Sequence, residues 1–208
     1  MDKFLKLPFI INIAGHCGSG KSFFIKYLIQ SLKNEFNCIA VFSNTAAFTE
    51  DYNFLKEMET PELKTFILSS LVADESIKKI MAIQKRNRQG NKKRNVLIIF
   101  DDIFGSIKDS KVFKDLVSTF RHYNISIIFS AQYITASATY LREISNYIVI
   151  FHQRTLSSLK ICYENYFIAD YDNFNAFKHS FAKKLQKYHF YFIDRINDKK
   201  TVMVCPAD

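Results

Sequence analysis

Gly15-His16-Cys17-Gly18-Ser19-Gly20-Lys21-Ser22 is the stretch whose reading decides the fold. Just before it, Phe9–Ala14 is an apolar run broken only by Asn12, the composition of a strand buried on both faces. Just after it, Phe24, Ile25, Leu28, Ile29 and Leu32 recur at helical spacing, so Lys21–Leu32 reads as a helix. Three of the chain's five glycines fall in this one turn. A glycine-rich turn between strand and helix lets successive backbone N–H groups converge on an anion, and the helix adds its positive N-terminal end. The pattern GxxxxGK[ST] in that context points to a nucleoside triphosphate, with ATP and Mg2+ as the expected ligands. Gly15, His16, Cys17, Gly18, Ser19, Gly20, Lys21, Ser22 and Phe23 form the expected contact set. Lys21 reaches the β- and γ-phosphates, and Ser22 offers its hydroxyl to the metal.

Outward from this turn, strands alternate with helices. Cys38–Phe42, Val96–Phe100, Ile125–Ser130 and Tyr147–Phe151 read as further buried strands; Glu62–Lys85, opened by Pro61, and Ser110–Tyr123 read as helices. That order predicts an α/β fold of the P-loop NTPase (RecA/ASCE-like) kind: a three-layer sandwich with a mostly parallel central sheet. The tail differs. Asp172–Leu185 reads as a helix, and Tyr188–Ile193 with Thr201–Val204 flank a polar turn, predicting a C-terminal β-hairpin at the sheet edge. With no internal repeat and no Pro- or Ser-rich linker, one domain is expected over 1–208, its core about 9–165 and its appended helix and hairpin 166–208.

Composition narrows the partners without choosing one. The chain has 208 residues, 48% of them hydrophobic, and a formal net charge of +9. It can bury a sizeable core, and its charge favours an anionic partner. The four cysteines are scattered without a CxxC pair, which argues against a zinc site or a disulfide framework and suits a reducing compartment. The apolar run near Met1 is short and lacks a small-residue cleavage site, so it reads as a strand rather than a secretion signal. No stretch approaches the roughly 18 apolar residues of a membrane span.

Two further strand ends carry candidate chemistry. Val96–Phe100 runs into Asp101-Asp102. Asp101 is the expected magnesium carboxylate, and Asp102 the group that orients or deprotonates the attacking water. Ile125–Ser130 is followed by Ala131-Gln132-Tyr133, where the Gln132 amide either senses the γ-phosphate or caps a backbone group.

The loop GHCGSGKS, the strand LIIFDD and the stretch RHYNISIIFSAQYITASATYLREISNYIVIF from Arg121 to Phe151 together resemble the FtsK–HerA superfamily. Within it they are similar to the DNA-packaging ATPases of poxviruses, giant viruses and virophages, as is VFSNTAAFTEDYNFL at Val41–Leu55. The resemblance covers roughly residues 9–165. It implies a homo-oligomeric ring, pentamer or hexamer, with ATP sites between neighbours. It also implies translocation of double-stranded DNA into a capsid through a capsid or portal component, in the cytoplasm of an infected host or with the virion. Gln132 matches the family's glutamine. Two departures stand out: Asp102 occupies a position where many relatives carry Glu, and the segment from Tyr133 to Arg142 lacks an expected proline.

A ring ATPase needs an arginine donated across the subunit interface. Arg121, Arg142 and Arg154 are the candidates, Arg142 first because it lies in the most family-like segment. Lys85–Arg94 carries six cations and no acid, and is either a solvated face or a surface for DNA phosphates. Two other readings share the loop: a nucleotide or nucleoside kinase, and an assembly factor that binds nucleotide without cleaving it. Asp101-Asp102 with Gln132 suits hydrolysis better than either.

Overall fold

The computed structural model describes residues 5–46 and 48–205, with Phe104 described by its backbone alone. The ends of the expected domain, 1–4 and 206–208, lie outside the described residues. The chain forms two compact units: the N-terminal stretch up to Ile10 with Lys26–Phe129, and Ile11–Ile25 with the chain from Ser130 onward.

In the first unit, β2 (Cys38–Ser43) pairs in parallel with β3 (Lys64–Leu68) and with β4 (Val96–Asp101), and β5 (Ile125–Ala131) follows β4 in the strand order. The helices are α2 (Phe54–Glu57), α3 (Ala73–Gln89), α4 (Phe104–Ile107) and α5 (Lys111–Thr119). The core is an aromatic ladder. Phe42, Phe100 and Phe129 stack at 5.4 and 5.2 Å, and Phe113 from α5 stands edge-on to Phe100 and Phe129 at 5.4 Å from each. Offset and edge geometries of this kind add to the burial of the rings. Ser110 fixes the entry of α5, its Oγ accepting from the Phe113 N–H at 3.1 Å. Asp74 and Glu75 open α3 and Arg86 and Arg88 close it, each charge complementing the helix dipole.

One expectation here is corrected. Glu62–Lys85 is not one helix: its first part is the strand β3, paired Cys38↔Lys64 through Phe42↔Leu68, and α3 starts only at Ala73. Phe66, Ile67 and Leu68 form a short apolar run that periodicity alone cannot assign, and a short half-exposed edge strand takes its conformation from its neighbour.

The second unit holds β1 (Ile10–Ala14), which pairs in parallel with β6 (Tyr147–Phe151) from Ile11↔Tyr147 to Ala14↔Ile150. Antiparallel to β6 lies β7 (His189–Asp194), and antiparallel to β7 the outer β8 (Lys199–Val204). The expected C-terminal hairpin is therefore present, and it ends the strand order. Asp194 shapes its turn by accepting from the Ile196 and Asn197 N–H groups. Both faces are covered. Phe24 of α1 (Lys21–Leu32) packs on Phe190 at 4.7 Å. On the opposite face Tyr191 and Ile193 join a cluster with residues of α7 (Leu156–Cys162), the π-helical turn Tyr163–Phe167 and α8 (Phe174–Lys184). This is the layered arrangement that the sequence predicts, although α7 and the turn after it are additions. The short α6 (Thr139–Ile144) links β5 to β6. Among the described residues no helix is long and apolar enough to cross a membrane.

The ladder and the edge give contrasting expectations. Phe113→Ala removes a ring with no exposure and should cost about 3–5 kcal/mol in urea unfolding. Phe66→Ala, at 49% exposure on β3, should cost no more than about 1 kcal/mol.

Candidate active site

The turn after β1 is built by three glycines, one where a Cβ would collide and two with positive φ. A Cβ on Gly15 would lie 2.6 Å from both Phe151 Cβ and Ser19 Oγ. Gly20 has φ +109, and a Cβ there would meet the Tyr188 ring at 3.1 Å; Gly18 has φ +74. Around these positions the loop closes on itself. The Ser19 N–H donates to the His16 carbonyl at 3.1 Å, and the Phe24 N–H to the Gly20 carbonyl at 2.9 Å, starting α1. Lys21 is buried, and its Nζ donates to the Gly15 carbonyl at 2.6 Å and to the His16 carbonyl at 3.3 Å. The ammonium thus lies folded over the cradle with no carboxylate in its bonds. Ser19 Oγ is buried without a hydrogen-bond partner. A cationic cradle that excludes side chains and holds an unsatisfied hydroxyl fits a phosphate group. Ser22 and Phe23 are exposed in the first turn of α1.

Two residues that the sequence does not single out anchor this cradle. Gln153 is buried just past β6. Its Nε2 donates to the carbonyls of Ala14 (3.3 Å) and Phe151 (3.0 Å), and its Oε1 accepts from the Ile134 N–H at 3.4 Å. Asn12 lies within β1 and accepts from the Ser137 hydroxyl at 2.9 Å. The polar break in the apolar run thereby ties β1 to the segment after β5. Gln132 is exposed in that segment.

Arg142 is bonded within its own chain. It is 9% exposed; its guanidinium donates to the Ile134 carbonyl at 3.4 Å, to the Ser137 carbonyl, and to Thr139 Oγ1 at 3.1 Å. These bonds clamp Ile134–Thr139 from within the chain. Arg154, one residue past Gln153, is exposed.

In the first unit the acidic pair sits at the carboxyl end of β4, where Ser43 of β2 is the partner of Asp101. Tyr52 is nearly buried, and its hydroxyl donates to Asp101 Oδ2 at 2.9 Å. Burial first, then the Asp101 carboxylate, holds the Tyr52 phenol well above its usual pKa, so it remains a donor. Asp102 is exposed, with φ 53, a left-handed conformation that turns the chain out of the strand. The basic run lies at the other end of this sheet. It leads into the start of β4, roughly 16 Å from Asp101 along the strand. There the buried Gln84 Nε2 donates to the Arg94 and Tyr123 carbonyls, and Arg88 donates to the His122 carbonyl. Arg121 belongs to this amino end too, its guanidinium 5.3 Å over the Phe120 ring.

Known proteins share this architecture. B204, the DNA-packaging ATPase from Sulfolobus turreted icosahedral virus, superposes with a TM-score of 0.72 at 19% identity, covering 97% of this chain and all of that one. The genome packaging NTPase B204 of Sulfolobus turreted icosahedral virus 2, solved with ATPγS, superposes with a TM-score of 0.69. These likenesses establish the P-loop NTPase fold. Among curated proteins, the DNA packaging protein OPG160 of vaccinia virus (strain Copenhagen) is 26% identical over 140 residues, 63% of this chain and 48% of its own length. The uncharacterized protein 015R of Frog virus 3 is 24% identical over 156 residues, 74% of this chain and 47% of its own. The chain spans about half the length of the curated relatives it matches. Residues 1–155 match the family of the poxvirus A32 protein, in keeping with the resemblance read from the glycine loop, the acidic strand and Arg121–Phe151, and the chain belongs to that family.

Proposed function

We propose that this chain is the ATP-hydrolysing subunit of a motor that translocates double-stranded DNA into a viral capsid, acting as one ATPase domain in a homo-oligomeric ring. The observation that carries it is the cradle at Gly15–Lys21, a buried ammonium folded over a turn whose first glycine leaves no room for a Cβ. Relatives named for DNA packaging support the choice of work to which hydrolysis is coupled.

In this reading the loop amides and Lys21 bind the β- and γ-phosphates. The hydroxyl of Ser22 and the carboxylate of Asp101 hold Mg2+, a pair of hard oxygen donors suited to it. When bound, the metal neutralises charge on the phosphates. Tyr52 is a positioning residue that fixes the Asp101 carboxylate through its hydroxyl. Asp102 accepts the proton of the attacking water, and Gln132 holds that water or senses the γ-phosphate. Arg154 replaces Arg142 as the cation offered to a neighbouring subunit, because it is exposed just past β6 while Arg142 is internally bonded.

The decisive measurement is ATP turnover with and without linear duplex DNA, alongside the mass of the assembled particle. Turnover stimulated by duplex DNA is expected; turnover of ATP only with a nucleotide acceptor would favour a kinase instead. Lys21→Ala should abolish turnover, and Asp102→Asn should keep ATP affinity while lowering the rate by about 100-fold or more. A fully active Asp102→Asn protein removes Asp102 as the base. Tyr52→Phe should raise the Mg2+ concentration needed for half-maximal rate several-fold and leave the rate at saturating Mg2+ largely intact. Mixing Arg154→Ala subunits into wild type should depress activity more than in proportion to their fraction; a linear loss eliminates Arg154 from the trans role.

A further inference from the structure

Beside the glycine loop, within the second unit, lies a cleft of about 270 Å3. One wall is the loop itself at His16, Gly18 and Ser19. The end of β6 supplies Phe151 and His152, and the segment 185–189 between α8 and β7 supplies the rest. We propose that this cleft is the base and ribose subsite of the nucleotide, with Tyr188 the ring on which the base stacks. The inference rests on the nucleotide reading above and deepens it by giving the C-terminal segment a direct part in recognition.

Four observations carry it. First, Tyr188 is held in a conformation that a bulky side chain rarely adopts, φ 65, at the place where the tail passes the loop. Its carbonyl accepts from the Cys205 N–H at 2.9 Å, so the strand end after β8 fixes it there. Second, the ring is aimed at the loop: its Cδ1 lies 3.1 Å from where a Gly20 Cβ would be, and it meets Phe23 edge-on with centroids 6.5 Å apart. Both rings stay open to solvent, Phe23 at 46% and Tyr188 at 39%, an aromatic corner at the first turn of the phosphate-binding helix. Third, the Lys187 ammonium lies 4.9 Å over the Tyr188 ring, so one face already holds a cation, whose place a base would take or leave for the other face. Fourth, the volume is near the lower end of small-molecule sites, roughly 300 Å3, which suits a base with its sugar while the phosphates occupy the loop.

The lining also predicts selectivity. Among the described residues, no carboxylate lines the cleft. The N1–H and N2–H donors of guanine therefore find no anionic acceptor to favour them, and a base held mainly by stacking is accepted on its π-face. Adenine and guanine nucleotides should bind with affinities within about tenfold of each other.

The test compares ATP, GTP and inorganic tripolyphosphate, each with Mg2+, binding to the full chain by calorimetry. Tyr188→Gly suits the left-handed backbone and removes the ring. It should weaken ATP and GTP by roughly five- to hundredfold, the worth of one base–aromatic stack, and leave tripolyphosphate within twofold. Tyr188→Phe should restore both nucleotides. An unchanged ATP affinity in Tyr188→Gly overturns the subsite. So does an equal loss of ATP and tripolyphosphate, which would mark Tyr188 as a support of the loop. Wild-type protein that binds tripolyphosphate as tightly as ATP rules out a base subsite while sparing the phosphate loop. Protein that binds neither ligand rules out both.

Discussion

The contact between Gly15 and Phe151 is the constraint from which the rest of the loop follows. A Cβ at position 15 would collide with the Phe151 Cβ at 2.6 Å, so β1 can leave the sheet beside β6 only through a residue without a side chain. That close passage lets the Gly15 carbonyl meet the Lys21 ammonium one turn later, at 2.6 Å. The ammonium then closes a ring of seven residues in which the backbone turns through two further glycines of positive φ. Such a turn loses much conformational freedom on folding, and the buried strands on either side, β1 and β6, supply the packing that offsets the loss.

Around this loop the chain uses side-chain amides and hydroxyls where the backbone ladder runs out. Gln153, Asn12 and Ser137 tie the end of β1, the end of β6 and the start of the β5–α6 connection together. Arg142 continues the same work by gathering the carbonyls of Ile134 and Ser137. In the first unit Tyr52 does for the acidic strand end what Gln153 does for the glycine turn. It crosses 49 residues of sequence to hold one oxygen of Asp101. In each unit an uncharged side chain, Gln153 or Tyr52, reaches a strand end that carries candidate chemistry.

The parts legible from sequence are those whose signal is local. Lys21–Leu32 is a helix over the same residues read from its apolar spacing, and the buried strands around Val41, Ile98, Ile128 and Val149 announce themselves as uninterrupted apolar runs. The hairpin at the tail was visible from two apolar stretches around a polar turn. What the sequence hid depends on distant partners. Lys64–Leu68 is a strand paired with β2, and its short apolar run alone fits either a helix or a strand. Tyr52 and Gln153 carry no motif, and Arg142 looks the same in sequence whether it faces a neighbour or its own loop. The fold brings Ile134, Ser137 and Thr139 within reach of its guanidinium, contacts that no local pattern announces.

The tail's grip on the glycine turn has a temporal side. Cys205 Sγ reaches the Gly20 carbonyl at 3.6 Å across 185 residues of sequence, and its N–H holds Tyr188 in place. During synthesis at about 5–20 residues per second, the turn leaves the ribosome roughly ten to forty seconds before the strand that steadies it. Until then the turn lacks its contact with Cys205. The turn's support thus arrives long after the turn itself, so a chain cut short before β8 carries the motif without the grip.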